Sequence, residues 1–210
     1  MARYTGAKCK RCRAEGEKLF LKGLKCYGPK CALEKAQARP TRSRRGRRRQ
    51  QGSEYGIQLR EKQKLKRMYG VYERQFRRYF ALAERQKGIV AENLLSLLER
   101  RLDNVVFRSG LSVSRGVARQ LVKHGHVMVN ERKVDIPSYL VKAGDVISIA
   151  EKSREHISVR EGLDTVESRG IPPWLELDPA RFEGQVKTLP LGDQVQIPVR
   201  VQLVVGLYTR

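Results

Sequence analysis

The chain carries 44 lysines and arginines against 22 aspartates and glutamates, a net charge of +22 over 210 residues. Such a surplus repels itself in any compact state, so a polyanionic partner must neutralise it, either nucleic acid or an anionic membrane. The charge is unevenly placed. Residues 1–52 hold 17 Lys/Arg against 3 Asp/Glu, residues 53–150 hold 19 against 10, and residues 151–210 hold 8 against 9. The basic surface therefore belongs to the first three quarters of the chain, and the nearly neutral remainder suits protein contact. Hydrophobic residues make up 40% of the sequence, enough for real cores in one to three compact units.

A membrane partner finds little support. A spanning helix requires about 18 apolar residues, and the longest apolar stretch, from Val199 to Leu207, is broken by Arg200 and Gln202. The segment Met1-Ala-Arg-Tyr-Thr-Gly6 has no apolar signal core. A cytoplasmic protein is expected.

All four cysteines, Cys9, Cys12, Cys26 and Cys31, fall within the first 31 residues, as one C-x2-C pair and one C-x4-C pair. In a reducing compartment clustered pairs indicate a metal site rather than disulfides. Zn²⁺ takes four thiolates at tetrahedral corners, and a C-x2-C turn supplies two adjacent ones. Tyr27-Gly28-Pro29-Lys30 can form the turn that brings Cys26 and Cys31 together. So small a segment has little apolar material, and metal binding would drive its folding. With all four positions filled, such a site is structural. An iron–sulfur cluster accepts the same four ligands.

Next comes Arg39-Pro-Thr-Arg-Ser-Arg-Arg-Gly-Arg-Arg-Arg49, seven arginines in eleven residues without an acid. Blocks of like charge are disordered when free and commonly bind nucleic acid. Arg44, Arg45, Arg47, Arg48 and Arg49 are expected to order only on RNA.

From Ser53 onward helical spacing dominates. Ser53 can cap a helix to about Tyr69, whose polar face would present Arg60, Lys62, Lys64, Lys66 and Arg67, and Gly70 ends it. Tyr72, Phe76, Tyr79, Phe80 and Ala83 then recur at helical spacing. These aromatics suit a core stripe better than base stacking, leaving Arg74, Arg77, Arg78 and Arg85 to face a partner. A third helix, from about Val90, would bury Leu94, Leu95, Leu98, Leu102 and Val105 before stopping short of Gly110.

A short helix follows, capped by Ser114 and ended by Gly125. It has Val117, Ala118 and Leu121 on one side and Arg115, Arg119 and Lys123 on the other. Strand signals come next: residues 126–129, a turn at Asn130-Glu-Arg-Lys133, then 134–136, 140–141 and 146–149. Glutamate at the second turn position disfavours the positive φ of a type I′ turn, which points to another turn type. Beyond Glu151 a helix over residues 153–168 is expected, then a turn at Pro172-Pro173, with Trp174 as a packing anchor.

The run from Arg101-Leu-Asp-Asn-Val-Val-Phe-Arg-Ser-Gly110 through Ser114-Arg-Gly-Val-Ala-Arg-Gln-Leu-Val-Lys-His-Gly-His-Val-Met-Val-Asn130 resembles the RNA-binding module named after small-subunit ribosomal protein four. Pro137-Ser138 and Ala143-Gly-Asp-Val-Ile147 continue the likeness. That module also occurs in pseudouridine synthases, some tyrosyl-tRNA synthetases and small heat-shock proteins. The flanks resemble the bacterial ribosomal family itself: Ala2-Arg-Tyr-Thr-Gly6, Leu59-Arg-Glu-Lys-Gln-Lys-Leu65, Glu73-Arg-Gln-Phe-Arg77, Glu151-Lys-Ser-Arg154, Pro173-Trp174-Leu175 and the stretch from Gln202 to Arg210. The resemblance covers essentially the full chain. One departure is the arginine run, which stands where many members have a Pro-Pro-Gly-Gln-His-Gly-like loop.

The resemblance implies a primary binder of small-subunit rRNA that helps nucleate assembly at a helix junction in the 5′ domain. It further implies contact with small-subunit ribosomal protein five, a place at the mRNA entrance of the ribosome, and an influence on translational accuracy. The implied fold class is α+β: a mainly helical domain (53–98 and 151–210), an inserted helix-plus-antiparallel-sheet RNA-binding module (99–150), and an N-terminal zinc-binding segment with its arginine extension (1–52). Arg115, Arg119 and Lys123 form the expected phosphate clamp, helped by His124 and His126, which are equally suited to a solvated surface. Lys62, Lys64, Lys66 and Arg67 form a second strip, and Arg74 and Arg77 extend it.

Two rival readings differ in class. Arg101-Leu-Asp103 superficially matches the catalytic tripeptide of pseudouridine synthases, but on an amphipathic helix Asp103 serves better as a local ion pair or cap. About 60 residues after the module are also too few for a synthase domain, so no enzyme is expected. A zinc-dependent DNA-binding regulator would account for the cysteines and the charge, although no helix-turn-helix or finger pattern is present.

Overall fold

The computed structural model describes residues 4–38 and 53–209; the arginines from Arg44 to Arg49 lie outside them. The chain forms two compact units, Met1–Arg77 with Ile197–Arg210, and Arg78–Gln196.

In the first unit, helix α1 (Lys8–Glu15) ends at Gly16, whose φ of 74° lets the backbone turn left-handed. A 3₁₀ turn (Gly23–Cys26) leads to α2 (Ala32–Ala38), which packs on α1. The long α3 (Glu54–Tyr69) starts where expected, because the Ser53 side chain accepts the Gly56 N–H, and stops at Gly70 with φ 64°. Helix α4 (Glu73–Arg85) begins here. Leu65, Met68, Tyr69, Val71 and Phe76 are buried, and a later helix, α10 (Val201–Tyr208), packs against α3 through buried Val201 and Val204.

The second unit holds the rest of α4, with Tyr79, Phe80 and Ala83 buried as the stripe predicts. Tyr72 departs from that stripe: it precedes the helix and stays 42% exposed. The expected third helix is two helices, α5 (Val90–Glu99) and α6 (Leu102–Arg108). They part at Arg101, whose ψ of 134° is extended and whose backbone bridges to Leu140. Helix α7 (Arg115–Lys123) is capped by Ser114 and packs on α6.

An antiparallel five-stranded sheet follows, in the order β2-β1-β3-β5-β4. Strands β1 (Val127–Val129) and β3 (Val146–Ile149) form where strands were expected, but β2 (Arg132–Lys133) falls within the expected turn, and residues 134–136 and 140–141 form no strand beyond the single bridge of Leu140 to Arg101. After α8 (Ile157–Asp164) and α9 (Val166–Arg169), strands β4 (Leu175–Asp178) and β5 (Glu183–Val186) complete the sheet, with Ile147 opposite Gly184. Residues 151–196 therefore add two strands to the sheet of the module, where a helical continuation was expected. The single helix predicted over residues 153–168 also breaks at Thr165, whose hydroxyl bonds the carbonyls of Glu161 and Gly162 at 3.1 and 2.8 Å. The core joins α6 and α7 to the sheet through Leu102, Val106, Leu121, Val127, Ile147 and Trp174, so the tryptophan is the anchor expected of it.

The turn between β1 and β2 overturns one expectation. Asn130 and Glu131 both have positive φ, 49° and 65°, as a two-residue type I′ hairpin requires. Asn130 drives it: its side chain donates to Asp145 and accepts the Val146 N–H, each at 2.9 Å, and Glu131 follows although its side chain disfavours the region.

Candidate nucleic-acid interface

Ser114 starts α7 by accepting the Val117 N–H, and Ala118, Leu121 and Val122 pin one face of the helix to the core. The residues beside that face are Arg115 and Arg119, which turn inward along α6 rather than standing free in solvent. Asp103 accepts two hydrogen bonds from Arg101, at 3.0 and 2.6 Å, and one from Arg119 at 3.3 Å. Buried Glu99 takes Arg108 at 2.8 and 3.0 Å and lies 4.0 Å from Arg115. Arg115 also donates to Asn104 at 2.7 Å and stacks over Phe107 at 4.7 Å. Four guanidinium groups thus share two carboxylates. The surplus positive charge sits on side chains already fixed in place, so ordering them on a ligand costs little further entropy.

Asp103 is therefore the ion-pair partner that the sequence suggests. Burial opposes the charge of Arg101, but Asp103 and Tyr79, whose hydroxyl accepts from Arg101 at 2.8 Å, hold that arginine firmly cationic.

Lys123 and His124 at the end of α7 are exposed, and Lys123 lies 3.6 Å from Asp135. With Gly125 and Lys133 these residues line a cleft of about 310 Å³. Gly125 suits this position through its φ of 75°, while an added Cβ would meet only the flexible end of the exposed Lys133 side chain. Arg132 and Lys133, passed over as turn residues, are exposed cations on the edge strand, and their signal was simply two adjacent basic residues after a two-residue turn. All three histidines of the chain gather beside this cleft. His126 stands 6.0 Å from His124 and 6.3 Å from His156, ring centre to ring centre, and its Nδ1 is 2.8 Å from the Ser153 hydroxyl. Burial pushes the His126 imidazole below its ordinary value, and His124, His156 and Lys133 add to the effect.

The second expected strip is corrected by the structure. Lys62, Lys64 and Lys66 are buried along α3, not displayed. Lys62 and Lys66 donate to Glu73 at 3.2 and 2.6 Å, Lys64 pairs with Glu17, and Arg67 pairs with Glu15. Tyr208 donates to the same Glu73 at 2.8 Å. Burial would raise the Glu73 carboxyl, but Lys66, Tyr208 and Lys62 together hold it at about 2. These cations close the helical core of the first unit. Arg74 and Arg77 are exposed on the first part of α4, and Arg78 and Arg85 on its later part, as expected.

The four cysteines are free thiols; Cys12, Cys26 and Cys31 are buried. The expected turn between Cys26 and Cys31 forms, closed by a hydrogen bond from Cys31 N–H to Gly28 O at 3.1 Å. Lys22 donates its backbone N–H to Cys26 Sγ at 3.4 Å. Burial raises the Cys26 thiol, and Cys12, Cys31 and Cys9 are all near enough to act on it electrostatically. Among the described residues, no three His, Cys, Asp or Glu side chains converge on a common metal position, and no helix is long and apolar enough to cross a membrane.

Comparison with known proteins decides the family. Residues 3–99 match the family model described as the ribosomal protein S4/S9 N-terminal domain, and residues 100–147 match the S4 domain. The small ribosomal subunit protein uS4 of Pelobacter propionicus is 55% identical over 210 residues, covering all of both chains. Those of Pelotomaculum thermopropionicum and Geotalea daltonii are 54% and 53% identical over the same full length. The chain belongs to the uS4 family. The S4-domain match opens at the junction of α5 and α6 and closes within β3, so β4 and β5 are hydrogen-bonded to its sheet from outside it. Membership in uS4 replaces the DNA-binding regulator as a reading of the cysteines and the charge.

Proposed function

We infer that this chain is a structural, non-catalytic component of the small ribosomal subunit that binds its rRNA. The observation that carries this reading, beside family membership, is the fixed guanidinium edge of α6 and α7. RNA junctions are recognised by shape through phosphates, 2′-hydroxyls and exposed bases, not through a deep major groove. Planar guanidinium groups bind phosphate bidentately and stack on bases. Arg115 and Arg119 supply the rigid part of such an edge, with Lys123, His124, Arg132 and Lys133 beside it.

The finer reading is that the rRNA contact lies at a 5′-domain helix junction and helps nucleate subunit assembly. Small-subunit ribosomal protein five and mRNA at its entrance to the ribosome are the further proposed partners. Titration of the purified protein against 5′-domain rRNA and against duplex DNA of equal length, over a salt series, tests it. Six or more phosphate contacts lose on the order of a thousandfold in affinity between about 50 and 200 mM salt. The rRNA complex is expected to persist where DNA and unrelated RNA have dissociated; parallel loss of all three would overturn the assignment.

For Cys9, Cys12, Cys26 and Cys31 we propose one structural Zn²⁺. Support comes from the donor set itself, four thiols on a short segment with three of them buried, and from the Lys22 N–H aimed at Cys26 sulfur. Bound metal would supply the folding energy that this segment lacks. Elemental analysis is expected to give about one zinc per chain, and chelation should expose all four thiols to a colorimetric reagent. Metal-free protein with four protected thiols would sink the proposal, and a visible charge-transfer band would identify an iron–sulfur cluster instead.

A further inference from the structure

The first unit contains a cavity of about 330 Å³ between α1 and α3 that the guanidinium edge of α7 does not use. Lys10 and Arg11 of α1 line it, facing Lys66 and Arg67 of α3, with Tyr4 and Tyr72 at its margins. The guanidinium of Arg11 lies 3.6 Å from the centre of the Tyr4 ring, a close cation–π stack. Tyr72 is the aromatic that left the core stripe of α4, and nearly half of it is exposed. Lys66 is neutralised by Glu73 and Arg67 by Glu15. Lys10 is exposed, and among the described residues Arg11 meets no carboxylate. Gln63, also in the lining, carries an amide that can both donate and accept.

Each wall has a chemical use. Flat tyrosine and guanidinium faces stack on a base, an amide reads its edge, and unneutralised cations hold a phosphate. The volume lies at the lower end of small-ligand sites, the size of one nucleotide. A paired base inside a helix cannot enter it. We propose that this cavity takes a single unstacked nucleotide of single-stranded RNA, its base against Tyr72 and the Tyr4–Arg11 stack and its phosphate at Lys10. The proposal rests on the RNA-binding reading above and assigns it a second, base-directed subsite in the first unit.

A single-stranded oligonucleotide carrying one 2-aminopurine, mixed with the full-length protein, tests it, because stacking on an aromatic ring quenches that base. Quenching is expected with the wild type. Tyr72→Ala should abolish it and weaken binding about tenfold, within the range for one base–aromatic stack. Tyr72→Trp should restore it, and Lys10→Ala should lower the salt slope by about 0.7, one single-strand phosphate. Circular dichroism of each variant checks folding, which the exposure of Tyr72 protects. Unchanged quenching in Tyr72→Ala overturns the proposal, as does adenosine monophosphate binding as tightly as the oligonucleotide, which would make the ligand a free nucleotide. The same variants on 5′-domain rRNA separate the two ideas: wild-type rRNA preference without quenching removes the subsite and leaves the RNA-binding reading standing.

Discussion

The carboxylate of Asp103 grips the guanidinium of Arg101, two residues earlier in the chain, through both oxygens, at 3.0 and 2.6 Å. Arg101 is fully buried. Removing one partner of a buried pair strands the other charge, at about 3–5 kcal/mol. Asp103→Ala is therefore expected to lower stability in urea unfolding by about that amount. Replacing both residues with apolar ones of similar size should cost clearly less. A single variant within about 1 kcal/mol of wild type would show that the pair is solvated in solution.

Glu131 holds a φ of 65°, a region that L-residues enter at about 1–2 kcal/mol. It is exposed. Glu131→Gly should stabilise the protein, by about 1 kcal/mol at most after the entropy that glycine adds to the unfolded chain. Asn130→Ala should act oppositely, since it loses the bonds to Asp145 and to the Val146 N–H. Thermal midpoints of the two variants on opposite sides of wild type are the expected result.

Glu73 titrates at about 2 against an ordinary 4.5. Its folded value is depressed, so its contribution is complete above about 4.5 and is lost as pH falls through about 2. Glu73→Gln should flatten this part of the stability curve. At neutral pH it should cost about 1 kcal/mol, below the roughly 1.5–3 kcal/mol of a buried hydrogen bond to charge, because the side chain is 34% exposed. Denaturation midpoints at pH 7, 4.5 and 2.5 provide the check.

His126 works on a different window. Its folded value lies below 6.5, so the unfolded chain binds the proton more readily and stability declines as pH drops below 6.5. His124, His156 and Lys133, which lower the His126 value further, deepen the decline. His126→Asn should show a smaller loss between pH 7.5 and 5.5 in the same urea assay; an unchanged slope would place the sensitivity elsewhere.

What could be read from the sequence was what local rules determine. Ser53 and Gly70 fix the ends of α3, Ser114 fixes the start of α7, and Phe76, Tyr79, Phe80 and Ala83 mark the buried face of α4. Strands β4 and β5 escaped because each has only four residues: β5 is held by β3, far away in sequence, and β4 by β5 alone, and the short alternation Leu175-Glu-Leu-Asp178 is too brief to announce a strand by itself. The lysines of α3 misled for a related reason. Helical spacing placed them on a polar face, but Glu15, Glu17 and Glu73, all beyond that helix, decide what they do. Arg115 and Arg119 lie on the expected helix, yet their fixed inward pose depends on Glu99 at the end of α5 and on Asp103 and Asn104 of α6.

Because α10 (Val201–Tyr208) covers α3 while residues 78–196 build the other unit, synthesis imposes an order on the nascent chain. At about 5–20 residues per second, α3 waits on the order of ten seconds for the helix that covers it. Small domains fold faster than this, so helices α5 to α7 are made and can pack well before the first unit closes along α3, while the sheet is completed only with β5, shortly before α10.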